Sequence, residues 1–269
     1  MLFRSLLTGE AGVGKEVICN LIHSNSKRKD QAFIKSNCSA LSASAFKEAL
    51  LGSDLTMGYL ELAEGGTLLI DEIAELSSDL QDLLLDILEK GLHDIRLITT
   101  TNKDIENLVN EGHFSQALYN RLNVTQIAIP PLRERPEDII PLAEFFLEDF
   151  CKSYGLKFTF STECIDCFNT YAWPGNMREL KNLVENLVVS TSGTEIGVRQ
   201  LPYHMLENTP YLPKEENHFN LSSDLPLNEA LSEVEKQLIE DAIIKHGSLR
   251  KAAKILEVSH STLSRKLNK

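Results

Sequence analysis

A glycine-rich turn near the start of the chain restricts its fold more than any other feature. Gly9-Glu10-Ala11-Gly12-Val13-Gly14-Lys15-Glu16 follows an apolar run and precedes a helical pattern over 16–24. The spacing G-x-x-x-x-G-K lets successive backbone N–H groups curl around phosphate oxygens, with the helix N-terminus and the Lys15 ammonium adding positive charge. Residues 9–16 are therefore predicted to bind a nucleoside triphosphate, although Glu16 stands where a metal-contacting Ser or Thr is usual. Glycines before a helix also serve as a plain turn, but a second element agrees. Thr67-Leu-Leu-Ile-Asp71-Glu72 reads as a buried strand ending in two carboxylates. At such an edge Asp71 is suited to hold Mg²⁺ and Glu72 to polarise an attacking water. Asn102, directly after the apolar run of 95–100, falls beside the same edge and is suited to orient that water.

Apolar runs at 2–7, 33–35, 67–70, 95–100 and 125–129 alternate with helical patterns, which predicts an α/β fold with a parallel sheet. The clearest helix lies between the third and fourth runs. Ser77 is its cap, Leu80, Leu83, Leu84, Ile87 and Leu88 recur at helical spacing, and Gly91 stops it. After Pro130-Pro131 the patterns are helical only, at 139–151, 163–171 and 177–189. Residues 208–226, with three prolines and no period, read as a linker.

The net charge of −12 argues against a surface coated with nucleic acid, yet the charge is uneven. Residues 245–269 hold seven Lys or Arg and one acid, a local +6 that leaves −18 on everything before it. An acidic body therefore carries a basic, anion-seeking tail. No stretch approaches the roughly 20 apolar residues of a membrane span, and the N-terminus has no signal-peptide pattern. Five scattered cysteines (Cys19, Cys38, Cys151, Cys164 and Cys167) point to reduced thiols and a cytoplasmic setting. Cys164-x-x-Cys167 lacks a second pair and reads as two buried thiols rather than a zinc site.

These motifs, together with Ile129-Pro-Pro-Leu-Arg-Glu-Arg-Pro136 and Trp173-Pro-Gly-Asn-Met-Arg178-Glu-Leu, resemble the AAA+ domain of bacterial enhancer-binding regulators, the sigma-54-dependent activators. The resemblance runs from about Leu6 to Met205. It implies an α/β nucleotide-binding subdomain (1–132), a helical lid (133–207) and a ring with ATP at subunit interfaces. Glu16 is usual within that family. By motif, Lys15 meets the β/γ-phosphates and Asp71 and Glu72 form the Walker B pair. Asn37 restrains Glu72, Asn102 is sensor I, and Arg178 is sensor II.

Three departures stand against the family pattern. The loop carrying G-A-F-T-G-A is missing, since only residues 53–57 separate Gly52 from Gly58. The hairpin before sensor I is short as well, with only residues 91–95 between Lys90 and Arg96. Of two trans-acting arginines, one is Ser115 and only Arg121 remains. ATP binding is expected to survive, with hydrolysis weak or lost.

The basic tail reads as two short helices, 248–256 and 259–267, with Ser248 and Ser259 as caps. Leu256, Val258, Leu263 and Leu267 are expected to face inward, and Ala252 and Ala253 to allow close helix approach. His260, Ser261, Ser264 and Arg265 then suit a major groove, while Arg250, Lys251, Lys254 and Lys266 suit phosphates. The segment resembles the Fis-type helix-turn-helix of the same regulators, closest to the TyrR-like subgroup, which implies a DNA-binding domain over 227–269. A preceding helix over 228–246 carries Leu231, Val234, Leu238, Ile239 and Ala242 on one stripe; in the family it dimerises, and packing onto the two short helices explains the stripe equally well.

The chain is thus expected to bind ATP with Mg²⁺ and double-stranded DNA, and to self-associate as a dimer or a ring. The favoured reading is a sequence-specific transcriptional regulator acting without sigma-54. The alternative is an ATP-hydrolysing remodeller of RNA polymerase holoenzyme.

Overall fold

The computed structural model describes residues 4–53, 55–91, 93–207 and 209–211. In the C-terminal part it describes 231, 234–236, 238–239, 242–243, 249–256, 258–259 and 262–263. The chain divides into two compact units, Met1–Leu212 and Pro213–Lys269.

The first unit begins with β1 (Arg4–Thr8), α1 (Lys15–Ser24), β2 (Phe33–Asn37) and α2 (Ala43–Leu51). A small hairpin, β3 (Gly52–Ser53) and β4 (Thr56–Met57), leads to α3 (Tyr59–Leu62). Then come β5 (Thr67–Asp71), α4 (Ser78–Lys90), β6 (Arg96–Thr101), α5 (Ile105–Asn110), α6 (Gln116–Leu122) and β7 (Gln126–Ala128). The five longer-range strands form one sheet in the order β2-β5-β6-β1-β7, and every pair within it is parallel. All five apolar runs of the sequence fall on these strands.

Side chains alternate across a strand, so adjacent apolar residues serve opposite faces. Leu7, Leu69 and Ile98 pack with Val13 and Cys19 beneath α1. Their neighbours Leu6, Leu68, Ile70 and Leu97 pack with Phe46 of α2, Leu80 and Leu84 of α4, and Leu118 and Leu122 of α6. Continuous apolar strands are what a sheet covered on both faces requires. Gly91 closes α4 in the left-handed conformation, as its position after the last periodic residue predicts.

A helical subdomain follows: α7 (Ile139–Tyr154), β8 (Thr159–Phe160), α8 (Thr162–Thr170), α9 (Asn176–Ser190), β9 (Glu195–Ile196) and α10 (Tyr203–Leu206). Its core gathers Phe146, Phe168, Trp173, Leu180, Val184 and Leu187. Trp173 is fully buried, and its indole N–H donates to Phe168 O at 2.9 Å, so the ring carries no unmet polar group. Cys164 and Cys167 lie in the same core, and burial pushes the Cys164 thiol up to about 12.

In the second unit the described residues include α11 (Leu249–Ile255). Ile239, Ala253 and Leu263 form its core, with Leu256 packed against them. The Ser259 hydroxyl accepts from Thr262 N–H at 3.1 Å, the capping role its position predicts. Val258, expected inside, is 39% exposed. Ile239 is buried while Leu231 and Leu238 of the same stripe stay about half exposed, so the stripe is only partly consumed by packing within the unit. Among the described residues, no helix is long and apolar enough to cross a membrane.

Candidate nucleotide site

β1 delivers the chain to the C-terminal edge of the sheet, where residues 9–14 turn into α1. Gly12 (φ 80°) is left-handed, and a Cβ there would lie 2.4 Å from Gly175 O. The loop can therefore approach the lid only with glycine at this point. Lys15 is buried, and its ammonium donates to Gly9 O (2.8 Å) and Glu10 O (3.2 Å), inside the cradle of its own loop. Burial lowers its pKa, a shift that the charges of Glu72 and Asp71 oppose. Glu72 Oε1 lies 3.8 Å from the Lys15 ammonium.

The two acids stand at the end of β5 as the sequence predicts. Glu72 is left-handed (φ 56°), an uncommon conformation for a side-chain-bearing residue and one that recurs at functional sites. Its Oε2 accepts from the backbone N–H of Asn102 at 3.0 Å. Asn102 thus meets the second carboxylate of this edge through its main chain. Asn37 departs from its expected role: its amide donates to Asp71 Oδ2 at 3.0 Å, not to Glu72. The cause is register. Asn37 lies directly opposite Asp71 in the parallel β2–β5 pair, so its side chain reaches the first carboxylate. Its own oxygen accepts from Ser39 N–H and caps the next turn. Glu16 pairs with Lys35 at 2.7 Å.

The lid meets the loop through Arg178 and through two residues, Arg133 and Asn176, that carry no role in the sequence reading. Arg133 grips Glu10 with two bonds of 2.5 and 2.9 Å. Asn176, fully buried and left-handed (φ 53°), donates to Glu10 Oε2 (3.0 Å) and Ala11 O (3.1 Å) and accepts from Leu132 N–H (2.7 Å). Arg178 N–H donates to Gly12 O at 3.2 Å, which sets this residue on the first turn of α9 beside the loop. The signal for this clamp lay in the Ile129–Pro136 and Trp173–Leu180 motifs, where arginine and asparagine flank rigid proline turns.

The hydrogen bonds from Arg133, then that from Asn176, hold the Glu10 carboxyl at about 2, down from an ordinary 4.5. A depressed carboxylate stabilises the fold fully above its unfolded value and loses that contribution as pH falls through the folded one. Glu10→Gln is therefore expected to lower the melting temperature at neutral pH. The gap to wild type should shrink between pH 4.5 and 2, in melts across that range. A gap independent of pH would show that the ion pair contributes nothing.

A mainly apolar cleft of about 330 Å³ adjoins the loop, lined by Val13, Val17, Ile18, Ile129, Leu142 and Met177 together with the charged Arg135 and Asp138. Its size is at the lower end of ligand cavities and suits a flat ring. A larger hollow of about 790 Å³ lies within the lid and shares no residue with the loop.

Arg121 stands apart from this cluster. Its carbonyl accepts from Arg4 at the start of β1 (3.2 Å), and its guanidinium meets Glu89 at 3.4 Å. Four strand residues separate Arg4 from the loop, a span of roughly 15 Å. Ser115, in place of the second arginine, caps α6 by accepting from Leu118 N–H at 3.3 Å. Lys251 and Lys254 are exposed on α11, and Arg250 belongs to the same helix. His260, Ser261, Ser264, Arg265 and Lys266 lie outside the described residues.

Residues 3–128 match the model of the Sigma-54 interaction domain, 133–218 that of the AAA+ ATPase lid domain, and 225–269 that of a helix-turn-helix domain. The regulatory protein LuxO of Vibrio parahaemolyticus is 39% identical over 97% of this chain and 62% of its own length. The Nif-specific regulatory protein of Klebsiella pneumoniae is 37% identical over 93% of this chain and 51% of its own. NtrX from Brucella abortus, solved in complex with ATP, superposes with a TM-score of 0.72 at 28% identity, over 99% of this chain and 63% of that one. The chain spans less than two thirds of the length of each.

These findings overturn the expectation of action without sigma-54. That expectation rested on two shortened loops and on the TyrR-like resemblance of the helix-turn-helix, and the first loop is indeed only a tight hairpin closed where Gly52 meets Gly58. The sigma-54 interaction match nevertheless runs through the hairpin and the whole sheet. Shortened loops do not remove the domain from its family. The relatives carry the wider family and do not single out a TyrR-like subgroup. The chain belongs to the bacterial enhancer-binding regulators, in which a sigma-54 interaction AAA+ domain and its lid are followed by a helix-turn-helix.

Proposed function

We propose that this chain is the ATP-hydrolysing and DNA-binding part of a sigma-54-dependent transcription regulator. The observation that carries the reading is the setting of Glu72. Its carboxylate lies beside the buried Lys15 ammonium on one side and is held by Asn102 N–H on the other. The glycine cradle and the apolar cleft fit a nucleotide, and Asp71 fits its metal because an ionised carboxylate keeps lone pairs beyond the bonds it accepts. When bound, Mg-ATP supplies an electrophilic phosphorus with its charge partly neutralised.

The chain's own residues supply the rest. Lys15 and the loop amides take phosphate oxygens, and the cleft takes the base. Glu72 Oε1 accepts the proton of the attacking water, while Oε2 stays fixed by Asn102. Arg121, at the opposite edge of the sheet, serves a neighbouring subunit's nucleotide, which makes hydrolysis depend on self-association. NtrX crystals holding ATP and ADP support nucleotide binding by the same fold.

The helix-turn-helix anchors the assembly to double-stranded DNA. Lys251→Ala is expected to weaken binding to all sequences about equally and to lower the salt slope by about 1. Transcription from a sigma-54 promoter, with purified chain, holoenzyme and ATP, tests the whole reading. Open complexes that need ATP and vanish with Lys15→Ala are expected. ATP turnover without open complexes would contradict it.

A further inference from the structure

Both Walker B acids meet one side chain that no motif names. Thr100 lies near the end of β6, next to β5 in the sheet, and is fully buried. Its hydroxyl donates to Asp71 Oδ1 and accepts from the backbone N–H of Glu72 at 3.3 Å. The directions are forced, because an amide only donates and an ionised carboxylate only accepts. The single hydroxyl proton is thereby committed to Asp71.

The consequence for Asp71 is a carboxylate held at both oxygens from both flanking strands. Thr100 of β6 binds Oδ1, and Asn37 of β2 binds Oδ2. For Glu72 the consequence is a second tie on its left-handed turn, at the backbone, alongside the Asn102 bond at the carboxylate. The neighbouring hydroxyls serve otherwise: Thr99 reaches Ser5 O, and Thr101 accepts from Lys103 N–H. Packing alone does not call for the hydroxyl at position 100, since valine has the same shape and an equal preference for strands.

We propose that Thr100 is a positioning residue that holds the metal-facing and water-facing carboxylates in register with each other. The inference rests on the reading of the site as an ATPase. Thr100→Val removes the hydroxyl at constant shape, and Thr100→Ser keeps it. Two quantities are read on the full chain: phosphate release, and the Mg²⁺ concentration that gives half-maximal binding of fluorescent ATP. A hydrogen bond to a charged group is worth about a tenfold effect or more. The valine variant should turn over at least about tenfold more slowly and need about tenfold more Mg²⁺, with metal-free ATP affinity within about threefold of wild type. The serine variant should restore both.

Wild-type values in the valine variant would overturn the proposal. So would a serine variant as impaired as valine, since the methyl group would then be what matters. Should valine fail to give a cooperative melt, Thr100→Ala is judged by the same two numbers. Wild type that binds ATP without turnover would defeat the hydrolytic reading, and the Mg²⁺ requirement would still decide the role of Thr100. Wild type that binds no ATP would defeat both.

Discussion

Glu72→Gln is expected to reduce steady phosphate release by about 10²–10⁴-fold, the range for loss of a positioned general base. ATP affinity should remain within about threefold. Glutamine keeps the shape of the side chain, and its carbonyl oxygen still accepts from Asn102 N–H. What it lacks is a basic oxygen facing the Lys15 side of the site, where Glu72 Oε1 now stands 3.8 Å from the ammonium. Losing that negative charge also removes a repulsion against phosphate, so binding has no reason to weaken. Parallel measurement of turnover and equilibrium binding separates the two effects. Turnover within tenfold of wild type would assign the proton to another group.

Arg121→Ala should cost about 10³-fold or more in turnover of the assembled protein, as removal of an arginine finger does. Little change in folding is expected, because the Arg121–Glu89 pair is about half exposed on both sides and such pairs contribute little. With Ser115 committed to capping α6, no second arginine of the motif shares the load. A mixing experiment tests action across subunits. Arg121→Ala retains Glu72, and Glu72→Gln retains Arg121. Some interfaces between the two variants then combine an intact Glu72 with an intact Arg121. Activity should reappear on mixing two inactive preparations. Silence of the mixture would place Arg121 outside the reaction or within its own subunit's site.

The sheet was legible because its strands are apolar on both faces and are separated by helices. Leu6-Leu7, Leu68-Leu69 and Leu97-Ile98 each serve two cores, which only a doubly covered parallel sheet demands. The phosphate loop and the acidic strand end were legible for a local reason, since spacing along the chain sets their geometry. Register was not. The family motif pairs Asn37 with Glu72, but the β2–β5 register sets it opposite Asp71, and nothing in either strand alone specifies that alignment. The Glu10–Arg133–Asn176 clamp joins residues 123 and 166 positions apart: two motifs mark its lid side, but no local pattern pairs them with Glu10. Thr100 read as an ordinary strand residue because its role comes from the neighbouring strand. The partner was illegible for another reason: two shortened loops and a TyrR-like tail are local features, whereas the sigma-54 interaction match spans residues 3–128. Most of the helix-turn-helix residues assigned to DNA lie outside the described residues, and their assignment rests on sequence.

Equilibrium binding of labelled ATP to the purified chain, with and without Mg²⁺, tests the central claim most directly. Saturable binding to one site per chain is predicted, strengthened by Mg²⁺. Lys15→Ala should weaken it about a hundredfold, as expected for the loss of charge-assisted bonds to phosphate. Absence of saturable binding, or equal affinity in the Lys15→Ala variant, would contradict the account.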